Sequence, residues 1–187
     1  MKKILISSFC SLLISFACLS ASAQVLPAMV EGKFIGADAV NMDSISHRDL
    51  QDRAWEWSAN RYKFARETPR KKRTDQILAN AWHDIYLSSN ADPVAIKMFY
   101  TLEISIEENA YRYQLSNIHY KTYADSLTGA TSDRFTAEML FGKQGIQNNG
   151  EISPLAEIYF LATQAYFRQL LGSLKMAMMR ETMLAKN

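Results

Sequence analysis

Cysteine is almost missing from this chain. Its 187 residues include two, Cys10 and Cys18. Both lie in a segment that opens with Lys2 and Lys3, runs apolar from 4 to 19 and closes on Ala21-Ser22-Ala23. A basic start, an apolar middle and a small-x-small end form the pattern of a secretory leader, so cleavage is expected after Ala23. Residues 24–187 then contain no thiol. That excludes disulfides, thiolate ligands and a cysteine nucleophile from the mature domain, and leaves packing to hold it together.

A charge excess is also lacking. The formal net charge of +2 rests on Lys2 and Lys3; without them the bases equal the 19 acids. A balanced chain carries no overall field to gather nucleic acid or an anionic membrane, and no nucleic-acid partner is expected. Long apolar runs are missing beyond the leader: no later stretch approaches the ~18–20 residues of a membrane-crossing helix. A lipid anchor on Cys18 would want a leucine-like residue three positions earlier, where Ser15 stands. A periplasmic or extracellular protein without membrane attachment is therefore expected.

Catalytic signatures are sparse. The three histidines are His47, His83 and His119, and none has a second histidine or a cysteine at metal-ligand spacing. His47 falls in a helix-capping segment. The other two fall in strands, as ordinary sheet residues or, on the sharper reading, as a joint site. No serine sits in G-x-S-x-G. No catalytic residue, metal site or cofactor is expected. A hydrolase of envelope or dietary polymers has compartment alone in its favour. A binding or accessory protein of the cell envelope is the principal reading, and a structural subunit of a surface assembly is a third.

What the chain does have is strict alternation. Ile96, Met98, Tyr100, Leu102, Ile104 and Ile106 alternate with Lys97, Thr101, Glu103 and Ser105, which predicts a half-buried strand over 94–106. A second strand is expected over 77–87 with Ile77, Ala79, Ala81, His83, Ile85 and Leu87 on one side, and another over 33–42. After a turn at Glu107-Glu108-Asn109, Tyr111, Tyr113 and Leu115 begin a return strand. Its phase shifts to Ile118 and Tyr120, so a bulge is expected near Asn117. The basic run Arg70-Lys71-Lys72-Arg73, after Pro69, reads as a solvated hairpin or loop, with an anionic surface partner as its sharper reading. Residues 24–31 read as a short lead-in and Asn90 to Pro93 as a turn.

Two main helices are expected. Ser46 caps the first, with Asp49 completing a capping box; Leu50, Ala54, Trp57 and Arg61 share a stripe on which Trp57 is the anchor, while Trp55 sits off it. Ser153 caps the second, with Pro154 at its first position. This C-terminal helix is expected over 153–184, with Leu155, Ile158, Tyr159, Ala162, Ala165, Tyr166, Leu170, Leu174 and Ala177 inward and Gly172 as a weak point. Between 122 and 152 lies a loop excursion closing at Asn148-Asn149-Gly150, with one short helix over 135–141. The economical solution for 24–187 is a single α+β domain, an antiparallel sheet with both helices on its apolar face.

Three stretches carry a family resemblance: Gly32-Lys33-Phe34 with Leu50 and Arg53-Ala54-Trp55-Glu56-Trp57; the 77–87 strand; and Tyr100-Thr101-Leu102-Glu103-Ile104-Ser105-Ile106 with Tyr111-Arg112-Tyr113-Gln114-Leu115-Ser116-Asn117-Ile118 and Tyr120. They resemble a family of exported proteins from Bacteroides-type bacteria, a domain of unknown function with a TATA-binding-protein-like fold. The resemblance spans about residues 30–121. It implies a curved antiparallel sheet carrying helices and supplies no catalytic residue or ligand. The fold name concerns chain trace and does not imply DNA binding.

Two residue groups are left as candidate surfaces. Tyr100, Tyr111, Tyr113 and Tyr120 cluster on the hairpin, either in the core or sheet edge or as an aromatic binding face for sugar, lipid or peptide. Met176, Met178, Met179 and Met183 crowd the end of the last helix, where flexible thioethers suit contact with a protein partner or a second copy of the chain.

Overall fold

The computed structural model describes residues 26–62, 70–73, 75–88, 93–123, 133–142 and 152–180. Its centre is a triplet of long strands, β4 (Gln76–Leu87), β5 (Val94–Glu107) and β6 (Ala110–Thr122), paired antiparallel in succession. The expected alternation is the cause. Ile96, Met98, Tyr100, Leu102, Ile104 and Ile106 are all buried, and the residues between them face the opposite side. Glu108 and Asn109 form the β5–β6 turn, with Asn109 at φ 59°, a conformation asparagine tolerates better than most residues. The expected bulge is present. Asn117 sits at φ 53°, and the β5–β6 register slips between Phe99↔His119 and Thr101↔Ser116.

The outer strands complete the order β1-β2-β6-β5-β4-β3, with β7 also on β6. β1 (Ala28–Val30) and β2 (Lys33–Asn41) are joined through Glu31 and Gly32, both at positive φ, as a tight hairpin turn requires. β1 lies within what the sequence presented as a lead-in. β2 pairs with β6 only from Gly36 onward. A Cβ on Gly36 would lie 2.7 Å from the backbone nitrogen of Pro27, so the close approach of the entering chain depends on glycine there. Past the point where β2 stops, β7 (Arg134–Thr136) takes up β6 at His119, Tyr120 and Lys121. The short helix expected over 135–141 is therefore a strand first. α2 (Ala137–Phe141) begins only after Thr136, whose Oγ1 accepts from the Met139 N–H. The basic run expected as a solvated hairpin or loop is β3 (Arg70–Arg73), paired antiparallel with the start of β4. The expected turns at Asn90–Pro93 and Asn148–Gly150 lie wholly or mostly outside the described residues.

Both long helices lie against the apolar side of the sheet. α1 (His47–Arg61) is capped by Ser46, whose Oγ accepts from Asp49 N–H at 3.2 Å. Its buried row is Leu50, Ala54 and Ser58. Trp57, expected as the anchor, is only half-buried, like Trp55. The i, i+4 row from Leu50 reaches Ser58 and puts Trp57 on the flank, where its Nε1 donates to Ser173 Oγ at 3.2 Å. α3 (Pro154–Met179) is capped by Ser153 and runs unbroken through Gly172. Its 26 residues span roughly 39 Å at ~1.5 Å each. Its inward row includes Ala156, Tyr159, Thr163, Phe167, Leu170 and Leu174, all buried. Leu155 and Ala165, expected inward, are exposed. The true row includes the polar Thr163, whose hydroxyl has a partner in the sheet. Arg53 of α1 donates to the Met178 carbonyl at 2.6 Å, tying the two helices together. At the β2 end, Phe34 packs on Phe141 with ring centroids 4.7 Å apart, and its N–H donates to Glu138 of α2.

Candidate binding face

The hairpin tyrosines face the helices. Tyr100, Tyr111, Tyr113 and Tyr120 are each at most 3% exposed, which removes them as a ligand-facing surface. Two of the hydroxyls are satisfied inside: Tyr100 lies 2.7 Å from the Tyr166 hydroxyl and 3.3 Å from that of Tyr62, and Tyr120 is 2.7 Å from Thr163 Oγ1. Burial pushes the Tyr100, Tyr111 and Tyr120 phenols far above their ordinary range.

The opposite side of the sheet carries what the sequence did not disclose. Trp82, Phe99 and His119 stand directly across from one another on β4, β5 and β6. Trp82 is 42% exposed. Phe99 and His119 stack with centroids 4.8 Å apart and planes 4° from parallel. Cations flank this row. The Lys97 ammonium lies 3.4 Å from the Trp82 ring centre and 5.5 Å from that of Tyr123, within cation–π range. Tyr123 donates to Asp84 at 2.6 Å, and that bond pushes its phenol up to about 12. From β7, the Arg134 guanidinium lies 5.8 Å from the Phe99 ring centre, and its Nη2 is 2.5 Å from His119 Nε2.

His119 is the joint of this arrangement. Its Nδ1 lies 3.1 Å from the Asn117 carbonyl, so Nδ1–H donates there and Nε2 keeps the lone pair that accepts from Arg134. The bulge puts it on this face. With an unbroken two-residue period, residue 119 would share the side of Tyr111, Tyr113 and Leu115. A second row runs beside the first: Asn117 Nδ2 donates to Thr101 Oγ1 at 3.2 Å, and Thr101 Oγ1–H donates to Asn80 Oδ1 at 3.0 Å. Between the aromatic row and the amide row lies a shallow slot of about 380 Å³. A neighbouring depression of about 430 Å³ follows along the sheet, floored by Ala37 and Ala39 and edged by Glu103, Arg112 and Gln114.

Residues 37–121 match the family described as a domain of unknown function (DUF4468) with TBP-like fold. This segment is similar to the DUF4468 family. A crystal structure of a DUF4468 family protein from Bacteroides ovatus superposes with a TM-score of 0.66 at 12% identity, covering 87% of this chain and 96% of that one. A TBP-like protein from Parabacteroides distasonis gives 0.62 at 21% identity, covering 81% and 96%. At such identities the likeness is one of fold. No curated protein is significantly similar to the chain.

The matched segment contributes Trp82, Phe99 and His119, while Arg134 and Tyr123 come from the chain that follows it. The joint histidine site is not formed. His83 points to the helix side, stacked 4.3 Å on the Tyr166 ring, and β5 separates it from His119 on the other face. Among the described residues there is no cluster of three or more His, Cys, Asp or Glu able to hold a metal ion. No helix among them is long and apolar enough to cross a membrane. At the end of α3, Met176 and Met179 are 71% and 55% exposed. Met178 turns inward and is fully buried, so it cannot belong to an outer surface. Met183 lies outside the described residues.

The His119 arrangement makes stability depend on pH. Burial lowers its pKa first and the Arg134 charge lowers it further, against the Asn117 carbonyl. The cations Lys97 on β5, Lys121 on β6 and Arg134 on β7 share its face, and Asp84 on β4 stands opposite Lys97. A depressed histidine pKa means the unfolded chain takes the proton first. The contribution is therefore complete above pH ~6.5 and is lost as pH falls through the lower native value. Urea midpoints measured from pH 8 to pH 5 should fall more steeply for the wild type than for His119→Gln. His83 is lowered in the same direction and contributes equally to both proteins. Parallel curves would rule out the coupling.

Proposed function

We propose that this chain is an exported, non-enzymatic binding protein of the bacterial cell envelope, and that it holds its ligand on the side of the sheet away from the helices. The reading of export rests on the leader pattern of residues 1–23. The observation that carries the binding reading is the convergence of Trp82, Phe99, Lys97 and Arg134 beside a slot on the sheet side away from the helices. These half-exposed aromatics and oriented cations lie outside the hydrophobic core. They are the groups that recur at recognition surfaces, where large rigid side chains give contact area at small entropic cost. A hydrolase would need an activated nucleophile or a paired acid and base, and the slot has neither among its lining residues.

The test uses the protein's own fluorophores. Trp55→Phe and Trp57→Phe together leave Trp82 as the reporter, since the chain has three tryptophans. Soluble envelope polysaccharides and extended peptides are titrated against this variant. The expected result is a saturable change in Trp82 emission, with affinity reduced about tenfold or more by Phe99→Ala. A ligand whose affinity, measured by calorimetry, survives both Trp82→Ala and Phe99→Ala would occupy another surface and overturn the reading. Exposed Met176 and Met179 support a second reading, in which the end of α3 docks a protein partner or a second copy of the chain.

A further inference from the structure

The chemistry of the slot narrows its ligand. Resting on the proposal above, we infer that it takes an acidic polysaccharide, a sugar chain bearing carboxylates, with Arg134 as the group that reads the charge. Charge complementarity is the first support. Arg134 is the one lining residue among those described that is charged at neutral pH, because His119 is held neutral by its two hydrogen bonds; no lining residue is acidic. Lys97 adds a second cation at the Trp82 end, and the nearby Asp84 carboxylate is already engaged by Tyr123. Arg134 commits Nη2 to His119, and the guanidinium has further N–H groups in the fork geometry that pairs with a carboxylate. His119 thus acts as the positioning residue, fixing the guanidinium beside Phe99.

The polar row supplies the second support. The chain Asn117 to Thr101 to Asn80 ends on the Asn80 oxygen, so both N–H groups of the Asn80 amide are available to sugar hydroxyls. Amides on one side and aromatic rings on the other match a sugar, which presents hydroxyls at its rim and C–H groups on its faces. The adjoining depression over Ala37 and Ala39 extends the same surface by a comparable volume and is lined by Asp38 and Glu103 as well as Arg112, which suits a chain of sugars whose hydroxyls lie there while a carboxylate sits at Arg134. A single-stranded nucleic acid would instead want a continuous cationic track. Here Asp84 and Glu103 interrupt the positive side chains across the face.

Calorimetric titration with polygalacturonate, its methyl ester and a single-stranded oligonucleotide decides the matter. The polyacid should bind, the ester should bind at least about tenfold more weakly, and Arg134→Gln should remove most of the difference while thermal unfolding stays within a degree or two. Arg134→Lys, which keeps the charge and loses the fork, should fall between the two. His119→Ala should weaken polyacid binding and leave ester binding unchanged, a split that general damage to the face would not produce. Equal affinity for acid and ester, tighter binding of the oligonucleotide, or no binding of the polyacid would each overturn the inference. Polyacid binding that survives Trp82→Ala would instead sink the choice of face.

Discussion

Phe167→Ala will lower the unfolding free energy by about 3–5 kcal/mol, the range for removing a buried phenylalanine from a close-packed core. Phe167 is fully buried in the middle of α3. Its ring meets Tyr100 edge-on at 5.3 Å and Tyr166 at 5.5 Å, so truncation removes apolar area and two favourable ring contacts together. Tyr100 lies on β5, one of the two central strands of the sheet, so the resulting cavity would sit where helix and sheet join. A domain of this size has only about 5–15 kcal/mol in total, so the loss is a large fraction of it. Urea unfolding followed by far-ultraviolet circular dichroism measures it. Phe167→Leu, which keeps most of the volume, should lose less than half as much. A midpoint unchanged in Phe167→Ala would mean that α3 does not pack on the sheet as described.

Thr163→Val will cost about 1–3 kcal/mol although it hardly changes shape. Thr163 is fully buried, and its hydroxyl lies 2.7 Å from that of Tyr120, itself 0% exposed. Valine fills the same space and leaves the Tyr120 hydroxyl without a partner in a dry site, where an unpaired polar group carries its full desolvation penalty. Removing both hydroxyls is different. Thr163→Val combined with Tyr120→Phe should recover most of the loss, so the double-mutant cycle should show a coupling above about 1 kcal/mol. Additive losses would mean the two hydroxyls do not bond.

The strands were legible because a two-residue period leaves little choice. The row from Ile96 to Ile106 and the phase change before Ile118 specify strand, side and bulge together. Helix starts were legible through Ser46 and Ser153, whose hydroxyls do cap. The hairpin tyrosines left core and binding face both open because a buried phenol needs a partner, and only the fold brings the hydroxyls of Tyr62, Tyr166 and Thr163 to Tyr100 and Tyr120. The open face had a signal that alternation tends to hide: Phe99 occupies the polar phase between Lys97 and Thr101, and Trp82 occupies that of β4. Arg134 had none. It reaches the face through β7, and pairing between strands separated by a long excursion leaves no local trace. The α3 stripe was legible from Tyr159, Tyr166, Leu170 and Leu174, and it omits Thr163 because a hydroxyl looks polar until its partner is known.

The left-handed kink at Asn117 has an evolutionary corollary. It makes β6 a ribbon written in two reading frames, with the core spelled by odd numbers before it and by even numbers after it. A lineage that straightened the kink without losing a residue would turn Ile118 and Tyr120 outward and sink His119 and Lys121 into oil. The extra residue and the kink that absorbs it can therefore be lost only together, and the spacing between the two halves is inherited as a unit with the surface it displays.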